Sequence, residues 1–163
     1  MTTAKSEEIG KLGRQFAVGG EFVSAEPFGT GHIHDSYAAV YDLNGARRRY
    51  LFQRINQHVF KDPQAVMVNI ERVTAHLRNK LAAAGARAEE RRRTLIMVST
   101  LTGGSYWHDS GNEYWRAYEF IEGARSYEVV RSPAHAEACA RAYGTFQHLL
   151  NDLPGPRLAE TIP

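Results

Sequence analysis

The chain has 163 residues, 43% of them apolar and 10% aromatic, which is enough for one compact domain with a hydrophobic core. Its 20 basic and 18 acidic residues leave a net charge of only +2, so no whole-chain field favours nucleic acid or a membrane surface. The N-terminus lacks the apolar core of a signal peptide, and no apolar run approaches membrane-spanning length. These features predict a cytoplasmic protein.

The first half of the chain predicts a helix and three strands. Apolar residues at helical spacing predict a short amphipathic helix over residues 6–17. Alternating apolar and polar residues then predict strands at 21–28, 36–43 and 48–55. Asn44-Gly45 is a strong two-residue hairpin turn between the second strand and the third.

The second half begins with a helix at Asp62-Pro63, where a capping residue precedes a proline suited to the first helical position. One apolar face then continues until Gly85 ends this long helix. Three further strands are predicted at 95–99, 105–108 and 114–121. A final helix begins at Ser132-Pro133 and contains Cys139, the single cysteine, among alanines, which predicts a small buried residue there.

This order predicts an α+β fold: a five-stranded antiparallel sheet with one long helix packed on it and helices at both ends. The layout is that of the small lobe of protein-kinase-like enzymes. We expect an N-terminal helical segment over residues 1–20 and a lobe of sheet and helix over 21–123. Residues 124–163 would then form a connector helix and the start of a linker.

A glycine-containing loop joins the first two predicted strands. Gly29 and Gly31 flank Thr30, and without Cβ atoms they let backbone N–H groups approach the oxygens of a phosphate. No Gly-Lys-Ser/Thr follows, and the next element is a strand rather than a helix, so the loop is neither a Walker A loop nor a dinucleotide fingerprint. Taken alone, the pattern fits a plain hairpin turn as well as a phosphate loop.

The next elements supply candidates for the rest of a nucleotide site. A kinase small lobe needs a basic side chain on its third strand to reach the phosphates, and an acid on the following helix to hold that cation. Here the third strand offers Gln53 and Arg54, and the helix offers Glu71. Arg54 is favoured by its charge, although its side chain could face outward and that of Gln53 inward.

Other polar residues near these elements have two readings each. His32 and His34 would face one side of a strand, which suits a metal pair, but no third ligand is evident and contact to a substrate hydroxyl is the alternative. Asp109-Ser-Gly111 resembles a short metal-binding pattern, but its place at the tip of a predicted hairpin favours turn chemistry. The arginines clustered at 47–49 and 87–93 either lie in solvated loops or form a patch that binds phosphate or nucleic acid.

Together these segments resemble the N-terminal lobe of the aminoglycoside phosphotransferase and choline kinase superfamily, and specifically the N-acetylhexosamine 1-kinases. The resemblance runs from about Phe16 to Ile162 and rests on six motifs in the same order and spacing. They are Pro27-Phe-Gly-Thr-Gly-His-Ile33, Tyr50-Leu-Phe-Gln-Arg-Ile-Asn56, Val68-Asn-Ile-Glu-Arg-Val-Thr74, Trp115-Arg-Ala-Tyr-Glu-Phe-Ile-Glu122, Gly144-Thr-Phe-Gln147 and Glu160-Thr-Ile162.

The resemblance implies an ATP-dependent kinase that phosphorylates the anomeric hydroxyl of an N-acetylhexosamine. The loop from Gly29 through Thr30 and Gly31 to Ile33 would cover the phosphates. Gln53 or Arg54 would take the place of the usual third-strand lysine, with Glu71 as its partner. Backbone groups of Glu119 and Ile121 would hold adenine, and His32 and His34 would lie on the sugar side of the cleft.

The family's aspartate base and its Mg²⁺ ligands lie in the large lobe. None of the seven histidines here begins a His-x-Asp segment with an asparagine five residues beyond the aspartate. Positioning and charge neutralisation by such groups supply nearly all of phosphoryl-transfer catalysis. We therefore expect these 163 residues to be the ATP-binding lobe alone, inactive by itself, with its Mg²⁺ ligands in a missing C-terminal lobe.

Two other functions remain open from the sequence. A stand-alone binding module that kept the small-lobe fold would have a defined partner or form a homodimer through the exposed lobe interface, including the apolar side of the last helix. A nucleic-acid binder using the arginine clusters would bind in a strongly salt-dependent way.

Overall fold

The computed structural model describes residues 3–29, 31, 33–85, 93–125 and 127–162. Thr30 and His32 of the predicted site, and most of the second arginine cluster, lie outside these residues. The described chain divides into two compact units. The first comprises residues up to Glu71, with 95–120 and those from Ala159, and the second comprises the remainder.

The first unit contains helix α1 (Thr3–Gly13) and an antiparallel sheet. Its strands are β1 (Glu21–Pro27), β2 (Asp35–Leu43), β3 (Ala46–Arg54), β4 (Met97–Val98), β5 (Trp107–His108) and β6 (Tyr114–Glu119). Helix α2 (Pro63–Ala83) begins in this unit and ends in the second, which also contains α3 (Pro133–Leu150). None of the described helices is long and apolar enough to cross a membrane.

The sheet has the order β1-β2-β3-β6-β4, and the two-residue strand β5 pairs with β6 beside this path. The predicted α+β fold with an antiparallel sheet is confirmed. The strand predicted at 105–108 is present as the two-residue β5, so the sheet has six strands where a five-stranded sheet was expected. Asn44 and Gly45 form the predicted turn, with positive φ angles of 54° and 87°. The Gly45 N–H also donates to Asp42 Oδ1 at 2.7 Å, which fixes this turn locally.

The hydrophobic core of the first unit lies between α1 and one face of the sheet. Phe52 and Ile9 are fully buried there, and the Phe52 ring meets Phe16 edge to face with centroids 5.5 Å apart. Aromatic pairs of this geometry stabilise a core beyond the area they bury. This layer leaves the opposite face of the sheet for other contacts.

Helix α1 ends four residues earlier than predicted. After Gly13 the chain tightens into short-range bonds, from Phe16 N to Gly13 O for example, and Phe16 forms an isolated bridge with Thr100. A Cβ on Gly13 would lie only 1.9 Å from the Tyr41 hydroxyl oxygen, so the close approach of helix and sheet needs a glycine here. Phe16 therefore reaches the core from a turn and not from the helix.

The starts of the other two helices are as predicted. Asp62 Oδ1 accepts a hydrogen bond from Ala65 N at 2.9 Å, and α2 begins at Pro63. Ser132 Oγ accepts from His135 N at 3.2 Å, and α3 begins at Pro133. Both cap residues satisfy a helix N–H group that has no partner within the helix.

In the second unit the last turns of α2 meet the end of α3. His76 Nε2 lies 3.0 Å from Leu149 O, and Lys80 forms an ion pair with Asp152. None of the described residues of α3 is buried, and Cys139 is exposed. The prediction of a buried Cys139 is therefore wrong, because the small residues around it are not covered by another layer of the described chain.

Candidate functional site

Cross-strand pairing sorts the predicted site residues onto the two faces of the sheet. Ser36 pairs with Gln53, and Gln53 pairs with Arg116, so these three side chains form one row on the same face. This face, which also includes the neighbouring row of Ala38, Leu51 and Tyr118, is termed the Gln53 face. It lies opposite the face that packs on α1.

The glycine loop begins at the edge of the Gln53 face. The Phe28 N–H donates to Ser36 O at 2.9 Å, which places Phe28 opposite Ser36. Gly29 follows with a φ of 86°, a conformation that favours glycine. A Cβ built on Gly31 would meet nothing within 4 Å, so the loop backbone is open on that side.

An aromatic contact crosses the Gln53 face. Phe28 directly follows β1 and Phe120 directly follows β6, yet their ring centroids are 4.9 Å apart with the planes at 77°. Strands β1 and β6 are separated by β2 and β3, which at about 4.8 Å per step amounts to roughly 14 Å. The two rings therefore reach toward each other over the sheet. Phe28 remains 46% exposed, and the Arg49 guanidinium lies 3.8 Å from the Phe120 centroid.

Gln53 links the loop side of the face to Arg116. Its Nε2 donates to Ser36 Oγ at 2.9 Å, and its Oε1 accepts from Arg116 Nε at 3.2 Å. Arg116 is only 7% exposed, and its Nη1 lies 4.0 Å from the sulfur of Met67 on α2. Burial lowers the pKa of Arg116 from its usual value. Sequence reasoning did not select Arg116, although a lone basic residue inside an apolar strand was a visible signal.

Arg54 lies on the other face and is already paired. Its Nε donates to Asp35 Oδ2 at 3.0 Å, and its Nη1 donates to Glu113 Oε1 at 2.8 Å. The hydrogen bond that Arg54 donates to Asp35 is the main reason why the pKa of Arg54 is raised. Two carboxylates thus balance this guanidinium, and the two third-strand candidates point to opposite sides of the sheet.

The acid predicted on the following helix is exposed. Glu71 lies on α2, four residues after Met67, which is buried and meets Arg116. On this helix, the Met67 sulfur contacts the buried guanidinium of Arg116 on the Gln53 face.

His34 is the described member of the predicted substrate pair. Its Nδ1 accepts from Asn56 N at 3.3 Å, and its ring stacks on Phe60 with centroids 5.1 Å apart. Burial, and then the positive charge of Arg116, lower the pKa of His34, so its imidazole is neutral near pH 7. A polar pocket of about 260 Å³ is lined by Asp35, Arg54 and Glu113, and His34 is not one of its lining residues.

The residues predicted to hold adenine through backbone groups follow the end of β6. The Glu119 N–H donates to Ile96 O at 2.9 Å and the Phe120 N–H donates to Arg49 O at 3.1 Å, so both amides take part in the sheet. Ile121 is the first residue of the later of the two segments that form the second unit.

Asp109 has the turn role that its position predicted. Its Oδ1 accepts from Gly111 N at 2.8 Å and from Glu113 N at 2.9 Å, and its Oδ2 accepts from Trp115 Nε1 at 3.0 Å. These bonds hold the β5–β6 hairpin in place. Among the described residues, no group of three or more His, Cys, Asp or Glu side chains is placed to hold a metal ion.

The Gln53 face also contains the buried hydroxyl of Tyr118. This hydroxyl forms no hydrogen bond with any of the described residues, and burial raises its pKa. With the open glycine loop, an exposed aromatic ring and a buried cation, this face suits a ligand that is both aromatic and anionic.

No protein-family model matches the sequence. Among solved structures, the fold matches the crystal structure of spectinomycin phosphotransferase APH(9)-Ia in complex with ADP and spectinomycin. The match has a TM-score of 0.53 and 12% sequence identity, and it covers 95% of this chain and 40% of that protein. The chain thus spans well under half the length of its structural relative, and it has the α+β, kinase-like small-lobe fold of this phosphotransferase.

Proposed function

We propose that the chain is the ATP-binding lobe of a small-molecule kinase. The observation that carries the proposal is the exposed Phe28, which lies next to Gly29 and meets Phe120 across the Gln53 face. A purine needs a flat surface on which to stack, and a polyphosphate needs free backbone N–H groups and positive charge. The Gln53 face has the exposed Phe28 ring and the buried Arg116 guanidinium, and the glycine loop begins at its edge. The structural relative was solved with ADP.

Within this proposal, residues 21–123 bind the nucleotide, residues 1–20 support their sheet, and residues 124–163 form a connector. The loop Gly29–Thr30–Gly31 contacts the phosphates, and backbone groups of Glu119 and Ile121 contact the adenine edge. Of the two third-strand residues, Gln53 is on the side of the loop, whereas Arg54 is paired with carboxylates on the other face. Glu71 on α2 is proposed as the acid that partners the third-strand residue. Mg²⁺ would neutralise phosphate charge, and we assign no described side chain to it.

The test of nucleotide binding is calorimetric titration of the chain with ATP, ADP and adenosine. We expect Phe28→Ala to weaken adenosine binding about tenfold, since a base stacked on an aromatic ring gains about 1–3 kcal/mol. Tyr143→Ala removes an exposed aromatic ring from α3 and should leave adenosine affinity unchanged. Absence of saturable binding of all three ligands to the unaltered chain would contradict the proposed function.

The proposed substrate is an N-acetylhexosamine phosphorylated at its anomeric hydroxyl. The six motifs of the sequence support this substrate class, and the neutral imidazole of His34 suits contact with sugar hydroxyls. An assay of ATP consumption with a panel of hexosamines, run on the natural gene product and on the 163-residue chain, tests it. We expect turnover only from a product that contains an aspartate base. Phosphorylation of aminoglycosides but of no hexosamine would contradict this substrate class and leave nucleotide binding intact.

A binding module is the second candidate function, and the exposure of α3 favours it. Tyr143 is 65% exposed and Phe146 is 41% exposed on a helix with no buried residue among those described. We propose that this apolar side pairs with a second copy of the chain, because exposed patches of this kind recruit partners. Sedimentation at micromolar concentration should then show a dimer, and a monomer at every concentration would refute the pairing.

A further inference from the structure

We propose that Arg116, on β6, supplies the phosphate-binding cation that a kinase small lobe ordinarily carries on its third strand. This inference rests on the proposed function, because it requires a nucleotide on the Gln53 face. It assigns to Arg116 a contact with the polyphosphate of a nucleoside triphosphate.

The guanidinium of Arg116 lies next to the third strand of the sheet. Arg116 and Gln53 are directly paired across β6 and β3, and the Arg116 Nε donates to Gln53 Oε1 at 3.2 Å. The charged end of Arg116 therefore leans over β3, toward the strand from which a third-strand lysine would extend. Gln53 in turn reaches Ser36 on β2, and Ser36 O holds Phe28 at the start of the glycine loop.

The charge of Arg116 lies in neutral surroundings. Within the described part of the chain, its side chain contacts the Gln53 amide oxygen, the Met67 sulfur and the face of the Tyr118 ring, all of them neutral. A buried cation that is held by neutral groups is costly, and its interaction with an arriving anion is strong because little water screens it. The positive charge of Arg116 also acts on His34, which precedes β2 on the loop side, because it is one of the causes that lower the pKa of His34.

The charge of Arg116 also accounts for the absence of a lysine at position 53. A lysine there would bring a second cation within about one strand spacing of a buried guanidinium, and like charges at that distance repel. Glutamine avoids this repulsion, accepts the hydrogen bond from Arg116 and donates to Ser36. A neutral Gln53 on β3 is therefore what allows the charged Arg116 to lie beside it on β6.

The test compares the affinities for ATP and for adenosine, because only ATP carries phosphates. We expect Arg116→Met to lower the ratio of ATP to adenosine affinity at least tenfold and to leave adenosine binding unchanged, since a charge-assisted hydrogen bond contributes about that much. The double variant Gln53→Lys with Arg116→Met returns a cation to the third strand and should restore most of the ratio. Arg48→Met, which removes an exposed arginine from β3, is the matched control and should change nothing.

The outcomes separate the two proposals. If the unaltered chain binds neither ATP nor adenosine, the proposed function fails and this inference fails with it. If the unaltered chain prefers ATP but Arg116→Met keeps the same preference, Arg116 only holds β6 and α2 together and the inference alone is overturned. Equal affinity of the unaltered chain for ATP and adenosine also overturns it.

Gln53→Glu gives an independent measurement in case Arg116→Met does not fold. The new carboxylate has nearly the shape of the amide and would pair with Arg116 in place, so the fold should be retained in thermal unfolding. We expect this variant to lose the preference for ATP because the cation is neutralised within the protein. A folded Gln53→Glu protein with an unchanged preference would contradict the inference.

Discussion

Gly29→Val is expected to lower the affinity of the chain for ATP about a hundredfold while leaving adenosine binding almost unchanged. Gly29 has a φ of 86°, which a β-branched residue avoids, so valine would force the loop into a different backbone conformation. The loop N–H groups would then no longer point at the phosphates. Loss of two charge-assisted hydrogen bonds of about 1.5 kcal/mol each corresponds to this factor.

Gly45→Val is a closely matched control for this substitution. Gly45 has a φ of 87°, and a Cβ there meets nothing within 4 Å, as in the open surroundings of Gly29. It lies in the turn between β2 and β3, at the end of β2 away from the loop. We expect a similar backbone strain of about 1–2 kcal/mol but the same ATP affinity as the unaltered chain. Equal losses of ATP affinity in Gly29→Val and Gly45→Val would show that the loss results from general destabilisation of the fold and not from a changed glycine loop.

Phe52→Ala is expected to lower the free energy of unfolding of the first unit by about 3–5 kcal/mol. The ring is fully buried and meets Phe16 edge to face, so its removal loses both buried area and an aromatic contact. Phe52 is also the neighbour of Gln53 and points to the opposite face of the sheet, where it holds the layer formed with α1. Urea unfolding followed by tryptophan fluorescence measures the effect, because Trp107 and Trp115 both lie in this sheet.

Leu101→Ala provides the comparison for Phe52→Ala. Leu101 is 70% exposed, so truncation should change the free energy of unfolding by no more than about 0.5 kcal/mol. A loss below about 1 kcal/mol for Phe52→Ala would mean that the core between α1 and the sheet is not packed as described.

Features decided by a few neighbouring residues were predictable from the sequence. The Asn44-Gly45 turn, the Asp62-Pro63 start of α2 and the Ser132-Pro133 start of α3 all occur where predicted. In each case one side chain or one backbone angle meets a need that arises within four residues. The alternation of apolar residues likewise predicted the long strands, because burial of one sheet face leaves a period of two.

Features decided by contacts between distant segments were not predictable in the same way. The last residue of α1 is a glycine, because the hydroxyl of Tyr41, far along the chain, leaves no room for a Cβ there. Cys139 is exposed although its neighbours are small and apolar, since burial depends on which layer covers a helix and not on the helix itself. The residues near Gly13 and Cys139 in the sequence do not indicate which distant segments contact them.

The candidate site shows the same division. By itself the sequence determined a glycine loop, a third strand with Gln53 and Arg54, and an antiparallel α+β fold. Only the tertiary structure decided which of these side chains share a face, because that depends on the register between strands that are more than 60 residues apart. The same register placed Arg116 beside Gln53 and left Arg54 with its carboxylates, since pairing partners of a sheet are chosen by long-range packing.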